Sequence, residues 1–120
     1  DFMAKQKDRR PSYLYYFNRD IPGDDHVGAY HSAELWYTFK TIHRYWRPMQ
    51  GIDYQLANVM NDYWCNFARI GDPNGKDLPH WTPYSSANRA GMELGERIGM
   101  LDDPGAARTH FLRDYIMGRI

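Results

Sequence analysis

The stretch Tyr13-Leu14-Tyr15-Tyr16-Phe17 restricts the fold of this chain more than any other. It is short, aromatic and almost wholly apolar, and it lies between Pro11-Ser12 and a loop, Asn18 to Asp25, that contains Pro22-Gly23. A short run without polar alternation reads as a strand buried on both faces, the pattern of a central strand in a parallel or mixed sheet. Such a strand needs a neighbour on each edge, because its backbone N–H and C=O groups cannot stay unpaired in a dry interior. The remaining sequence offers one weak hairpin, Met92-Glu93-Leu94 and Ile98-Gly99-Met100 around Gly95-Glu96. The expectation is therefore an α/β slice of a larger protein, short of partners for its own hydrophobic surface. The opening Asp-Phe-Met-Ala-Lys, without an initiator Met, fits a chain that begins inside a longer polypeptide.

Helical patterning is clearest in the middle of the chain. Leu56, Val59, Met60, Tyr63, Trp64 and Phe67 recur at i, i+3, i+4 spacing, with Asn58, Asn61, Asp62 and Asn66 mostly opposite. This predicts an amphipathic helix from about residue 52 to 70. Gly71 suits the position just past its end, where positive φ is common, and Asp72-Pro73-Asn74-Gly75 suits a turn. Gly28 to Leu35 reads as loop running into a short helix whose apolar side is Leu35, Trp36 and Phe39. Residues 40–50 are irregular, with Pro48 as a breaker, and 76–91 form a long surface loop anchored by His80-Trp81 and Tyr84. Asp103 before Pro104 reads as an N-cap and first helical residue. Phe111, Leu112, Tyr115 and Ile116 then line one side of a terminal helix, and Phe2 to Asp8 reads as the end of another.

Composition excludes several function classes. Lys+Arg and Asp+Glu are both 15, so no cation surplus is available for nucleic acid. No apolar run approaches the ~18–20 residues that cross a bilayer, and the first ten residues are too polar for a signal peptide. One cysteine, Cys65, cannot form an internal disulfide. The compartment is left open, with a lean towards the cytoplasm.

Several blocks, in order, resemble the end of the type-B carboxylesterases, the family that includes the cholinesterases. They are Tyr13–Phe17, the Pro-Gly loop, Gly28-Ala29-Tyr30-His31-Ser32-Ala33-Glu34-Leu35, and Tyr37-Thr38-Phe39. Asp62-Tyr63-Trp64-Cys65-Asn66-Phe67-Ala68-Arg69-Ile70-Gly71-Asp72-Pro73-Asn74-Gly75 and Leu78-Pro79-His80-Trp81-Thr82-Pro83-Tyr84 extend the likeness, which covers roughly residues 11–100. The resemblance implies that 1–120 is the C-terminal part of one α/β-hydrolase domain, incomplete alone. Its parts would be a late central strand, the His loop, a long amphipathic helix, a small hairpin and a terminal helix. It also implies a Ser-Glu/Asp-His triad in that chain order, with His31 at the histidine position, no cofactor and a carboxylic-ester substrate. An imidazole suits the role of proton shuttle because its ordinary pKa of ~6.5 lies near working pH.

The departures from the family pattern carry equal weight. Ser12, Ser32, Ser85 and Ser86 are the serines present, and none lies in Gly-x-Ser-x-Gly. The Gly-rich oxyanion segment and the acid are absent too. The expectation is an isolated chain without esterase activity, whose partner is the missing N-terminal part of the same enzyme. Ser32 is a poor substitute nucleophile, since adjacent residues rarely aim their side chains at each other. Glu34 reads as a residue bracing the loop rather than as the acid. Trp36 and Phe39 are candidates for lining the substrate pocket, with packing against a neighbouring helix the equal alternative.

Plainer readings apply elsewhere. Asp24, Asp25, His26, His31 and Glu34 do not follow a recognised metal-ligand spacing, so no metal is expected. His43, His80 and His110 read as solvated or structural, Cys65 as a buried free thiol, and Asp53 and Asp62 as ordinary helix carboxylates, Asp53 favoured by the helix dipole. Two rival functions remain. One is a non-catalytic cholinesterase-like adhesion module. The other is an independently folded unit that hides its apolar surface by homo-oligomerisation.

Overall fold

The computed structural model describes Gln6 and residues 9–120. The helix end expected at Phe2 to Asp8 lies outside the described residues, apart from the irregular Gln6. In chain order the elements are strand β1 (Tyr15–Phe17), helix α1 (Leu35–Thr38), a 3₁₀ turn (Ile42–Arg44), helix α2 (Gly51–Ile70), strands β2 (Gly91–Leu94) and β3 (Ile98–Leu101), and helix α3 (Ala106–Ile116).

Helix α2 is the long element that the periodicity predicts. Gln50 enters it in an extended conformation, and the Asp53 carboxylate reaches back to accept the Gln50 N–H at 2.7 Å. That bond satisfies one of the amides that a helix start leaves without a partner. Leu56, Met60 and Tyr63 are fully buried along one face. Gly71 closes the helix at φ 77°, its N–H bonded to the Phe67 carbonyl at 2.8 Å. Phe67, expected on the apolar face, is exposed, meeting the Tyr13 ring edge-on at 6.0 Å.

The sheet is mixed, in the order β1-β2-β3. β1 runs parallel to β2, with Tyr15 beside Met92 and Phe17 beside Leu94, and β2 runs antiparallel to β3 as the expected hairpin. The parallel pair is joined through α1 and α2, as a parallel connection requires. Met92 and Leu94 of the central strand meet Leu56, Met60, Tyr63 and Trp81 in one core. Trp81 pins the long loop: its indole N–H donates to the Leu14 carbonyl at 3.1 Å, and its backbone exchanges bonds with the Asn74 side chain. Tyr84 bridges to Ser12, whereas His80 is exposed.

β1 departs from the expectation of burial on both faces. Tyr15 and Tyr16 are exposed, and Phe17 is half-buried against Tyr37. The physical reason is that α2 covers one face of β1 and β2 holds one edge. Among the described residues no strand pairs with the other edge. The structure is a slab of 44 × 36 × 19 Å with a radius of gyration of 16.0 Å, against about 14 Å for a compact chain of this length. Its accessible surface is 8294 Å², against about 6,800 Å² for a compact monomer of this mass.

Three further local expectations change. In α1 the buried residues are Tyr37 and Thr38, while Leu35 and Phe39 face outward. A single turn can bury one side only, and Tyr37 wins it because its hydroxyl finds a buried acceptor. α3 starts at Ala106 behind Gly105 (φ 74°), so Asp103 is not its N-cap; Asp103 itself has φ 38°, and its carbonyl closes a turn with the Ala106 N–H at 3.0 Å. Phe111, Leu112, Tyr115 and Ile116 do share α3, yet all are exposed, and the helix buries no residue. Cys65, expected to be buried, is exposed on α2.

Asp53 is also more than an ordinary helix carboxylate. It is fully buried and accepts from Arg19 Nε (2.7 Å), Arg19 Nη2 (3.3 Å), the Tyr37 hydroxyl (2.8 Å) and the Gln50 amide. Burial opposes its charge, but the Arg19, Gln50 and Tyr37 hydrogen bonds outweigh it and hold the carboxyl below the usual value of 3.8. Burial and the bond to Asp53 push the Tyr37 phenol strongly up. The exit of β1, helix α1 and the start of α2 thus meet at one carboxylate.

Asp53→Asn leaves the buried Arg19 with only the exposed Glu96 carboxylate, 3.2 Å from its Nη1, as counter-charge and should destabilise the chain by about 3 kcal/mol, read from the denaturant midpoint. Because the Asp53 value is lowered on folding, its contribution is complete above about pH 4 and declines as the pH falls further. Midpoints measured across that window should drop in the wild type, and Asp53→Asn should lack this component. Equal slopes in the two proteins would refute the assignment.

Candidate functional site

His31 lies in the loop that leaves the carboxyl end of β1 and feeds α1. In open α/β sheets that end of the strands is where ligands bind. The His31 side chain is exposed and, among the described residues, has no hydrogen bond or ion pair. The loop bends sharply around it: His26 (φ 47°), Gly28 (φ 63°) and Ser32 (φ 68°) all have positive φ. Left-handed backbone at residues other than glycine persists only where surrounding contacts hold it.

Those contacts come from both sides. The Tyr30 hydroxyl bonds the Tyr45 hydroxyl, and the Tyr30 carbonyl accepts the Ala33 N–H at 3.1 Å. Ala33 is fully buried, and the Ser32 carbonyl accepts the Leu35 N–H at 3.2 Å. Burial, with the Tyr45 bond, pushes the Tyr30 phenol up to about 12, so it stays protonated. Upstream, Arg47 grips both oxygens of Asp25 at 2.7 Å and the Pro22 carbonyl at 3.2 Å. That pairing holds the Asp25 carboxyl below its ordinary range. The Arg47 guanidinium also lies 4.7 Å from the centre of the Trp46 ring.

The other sequence candidates fall around this loop. Glu34 is half-buried at the start of α1, and its carbonyl accepts the Thr38 N–H at 2.9 Å. Its charge is felt at β1: the Tyr15 phenol is raised by burial and then by the charge of Glu34. No hydrogen bond joins Glu34 to His31 among the described residues. Trp36 stacks flat on Tyr45, centroids 4.4 Å apart and planes 10° apart, while Phe39 is exposed at the end of α1. Ser32 and His31 make no hydrogen bond with each other. Among the described residues, no three His, Cys, Asp or Glu side chains gather to hold a metal ion, and no helix is long and apolar enough to cross a membrane.

Between β1, the residues leading into it and α2, Tyr13, Tyr15, Trp64, Phe67 and Trp81 line an aromatic cleft of about 160 Å³. Their rings meet edge-on or tilted, with centroids about 5–6.5 Å apart.

Sequence reasoning singled out His31 but missed Arg19, Asp53, Tyr30, Tyr45 and Arg47 as the residues that hold its loop. One signal was available: Gln50 followed three residues later by Asp53 is the spacing of a capping box, in which the N3 side chain is committed to the backbone. The long-range pairs, Arg19 with Asp53 and Tyr30 with Tyr45, carry no local pattern.

Comparison with known proteins places this geometry in context. The model of the carboxylesterase family matches residues 1–112. Human bile salt-activated lipase is 34% identical over 90 residues, which is 72% of this chain and 12% of the lipase. The carboxylesterase of Geobacillus stearothermophilus superposes with a TM-score of 0.68 at 29% identity, over 82% of this chain and 21% of that one. A PNB esterase superposes with a TM-score of 0.74 over 91% of this chain and 23% of that one; at 22% identity it speaks for the fold alone. The matched stretch is thus a small part of each relative. With its mixed sheet, covering helix and His-bearing loop forming part of an α/β-hydrolase fold, this chain belongs to the carboxylesterase family.

Proposed function

We propose that the chain is the histidine-bearing segment of a serine carboxylic-ester hydrolase, with His31 as the general base. The observation that carries this reading is the position of His31. It is solvent-facing, without a competing bond among the described residues, and held on a braced loop at the carboxyl end of β1, within the stretch matched by the family model. The serine, the triad acid and the oxyanion donors would come from a preceding part of the same domain.

In that assembly the serine hydroxyl attacks the ester carbonyl while His31 takes its proton. The tetrahedral intermediate collapses, and His31 returns the proton to the departing alkoxide, which leaves as the alcohol. Water then attacks the acyl-enzyme with His31 again as base, and the carboxylic acid and free serine are released. A carboxylate on the far ring nitrogen would hold the imidazole and stabilise its charged form. Glu34 supports the start of α1 through its carbonyl, and Trp36 and Phe39 are candidates for the rim of the substrate pocket.

The rest of the domain has a place to join. Among the described residues one edge of β1 has no strand partner, Tyr16 is exposed, and the surface exceeds that of a compact monomer. A strand added along β1 would satisfy its free backbone groups and cover Tyr16. The isolated chain should therefore show no turnover of a short-chain nitrophenyl ester. The protein extended by the upstream part should turn it over, and His31→Ala should lower kcat by about 10⁴–10⁶-fold. Turnover by the isolated chain, or full activity after His31→Ala, would refute the reading. A replaced serine upstream would favour the adhesion module instead.

A further inference from the structure

We propose that the Tyr45–Arg47 segment is a clamp that positions His31, gripping its loop at Tyr30 on one side and at Asp25 on the other. The inference rests on the reading of His31 as the base and adds three positioning residues to it: Tyr30, Tyr45 and Arg47.

Four observations carry it. First, His31 makes no bond of its own among the described residues, so its place depends on its neighbours. Second, its neighbours on both sides are fixed: Tyr30 by the Tyr45 hydroxyl, and Ala33 by full burial and by its bond to the Tyr30 carbonyl. Third, Tyr45 is itself immobilised, because its ring lies flat on Trp36 just downstream of His31. Fourth, Arg47 is almost fully buried and spends both terminal nitrogens on Asp25 and Pro22, at the upstream base of the same loop. A planar two-pronged donor fixes orientation as well as distance, which a lysine could not do.

The geometry between the clamps is what a shuttle needs. The backbone turns left-handed at Gly28 and at Ser32, so the segment between them is presented as a short arch. Tyr30 points inward to Tyr45 while His31, the next residue, is exposed. One side chain anchors the arch and the adjacent one is offered outward. A catalytic group displaced by about 1 Å can lose about 100-fold in rate, so an anchor one residue away bears directly on turnover.

The test uses the extended, active hydrolase and p-nitrophenyl acetate. Tyr30→Phe and Tyr45→Phe each delete one hydroxyl and keep the rings. Each should lower kcat about tenfold with KM within about twofold, since substrate binding does not use this bond. Both delete the same hydrogen bond, so the double variant should lose no more than either single. Arg47→Lys should also lower kcat at near-constant KM. Asn66→Ala, which removes bonds to the Pro73 and Asn74 carbonyls far along α2, is the stability control: it should lower the unfolding midpoint and spare kcat. The clamp is overturned if both tyrosine variants keep kcat within about twofold, or if their losses multiply in the double variant. If the tyrosine variants stay active while His31→Ala is dead, the clamp alone fails. If His31→Ala keeps full activity, the reading of His31 fails and the clamp with it.

Discussion

One buried carboxylate organises this chain. Asp53 collects the Arg19 guanidinium from the exit of β1, the Tyr37 hydroxyl from α1 and an amide from the start of its own helix. A charge in a dry interior is costly unless its lone pairs are filled, and here they are. Because Arg19 precedes the His31 loop and Tyr37 follows it, the two ends of that loop are stapled to α2 through the same group. The hydrophobic core of Leu56, Met60, Tyr63, Met92 and Leu94 supplies cohesion without direction. The ion pair supplies the direction, because only one arrangement of strand, turn and helix brings these three partners to Asp53.

What the sequence made legible follows from which forces act locally. α2 was readable because its apolar stripe repeats with the period of the helix, and its end was readable because Gly71 is free to turn left-handed. The hairpin β2–β3 was readable from two apolar runs around Gly95-Glu96. His31 was marked by the blocks around it. The features that failed were those decided by distant partners. Leu35 and Phe39 form the apolar side that the sequence of α1 suggests, but Tyr37 is the residue buried, by an acceptor on α2. The start of α3 depended on the left-handed turn at Gly105 rather than on the Asp-Pro pair. Tyr30, Tyr45 and Arg47 were ordinary residues in an irregular stretch until the fold brought them together.

The burial of β1 is the instructive failure. The composition of Tyr13–Phe17 does describe a strand meant for a dry environment, yet Tyr15 and Tyr16 face solvent. The pattern read from the residues reports the surroundings for which they suit, and the slab-like shape of the chain supplies only part of them. The same holds for α3, whose Phe111, Leu112, Tyr115 and Ile116 sit on a helix that buries nothing. Periodicity told correctly which residues share a face; it could not tell what stands opposite.

The open edge of β1 has a consequence for the life of such a chain outside its complete fold. Leu14-Tyr15-Tyr16-Phe17 is uncharged, rich in strand-forming side chains and without proline, which is the composition of segments that stack into steric zippers. Pro11 upstream and Arg19 downstream act as gatekeepers at its borders, but the stretch between them has none. A nicked or half-synthesised protein that left this edge bare would carry a template for cross-β growth. Quality control would then have to recognise a four-residue, tyrosine-bearing edge.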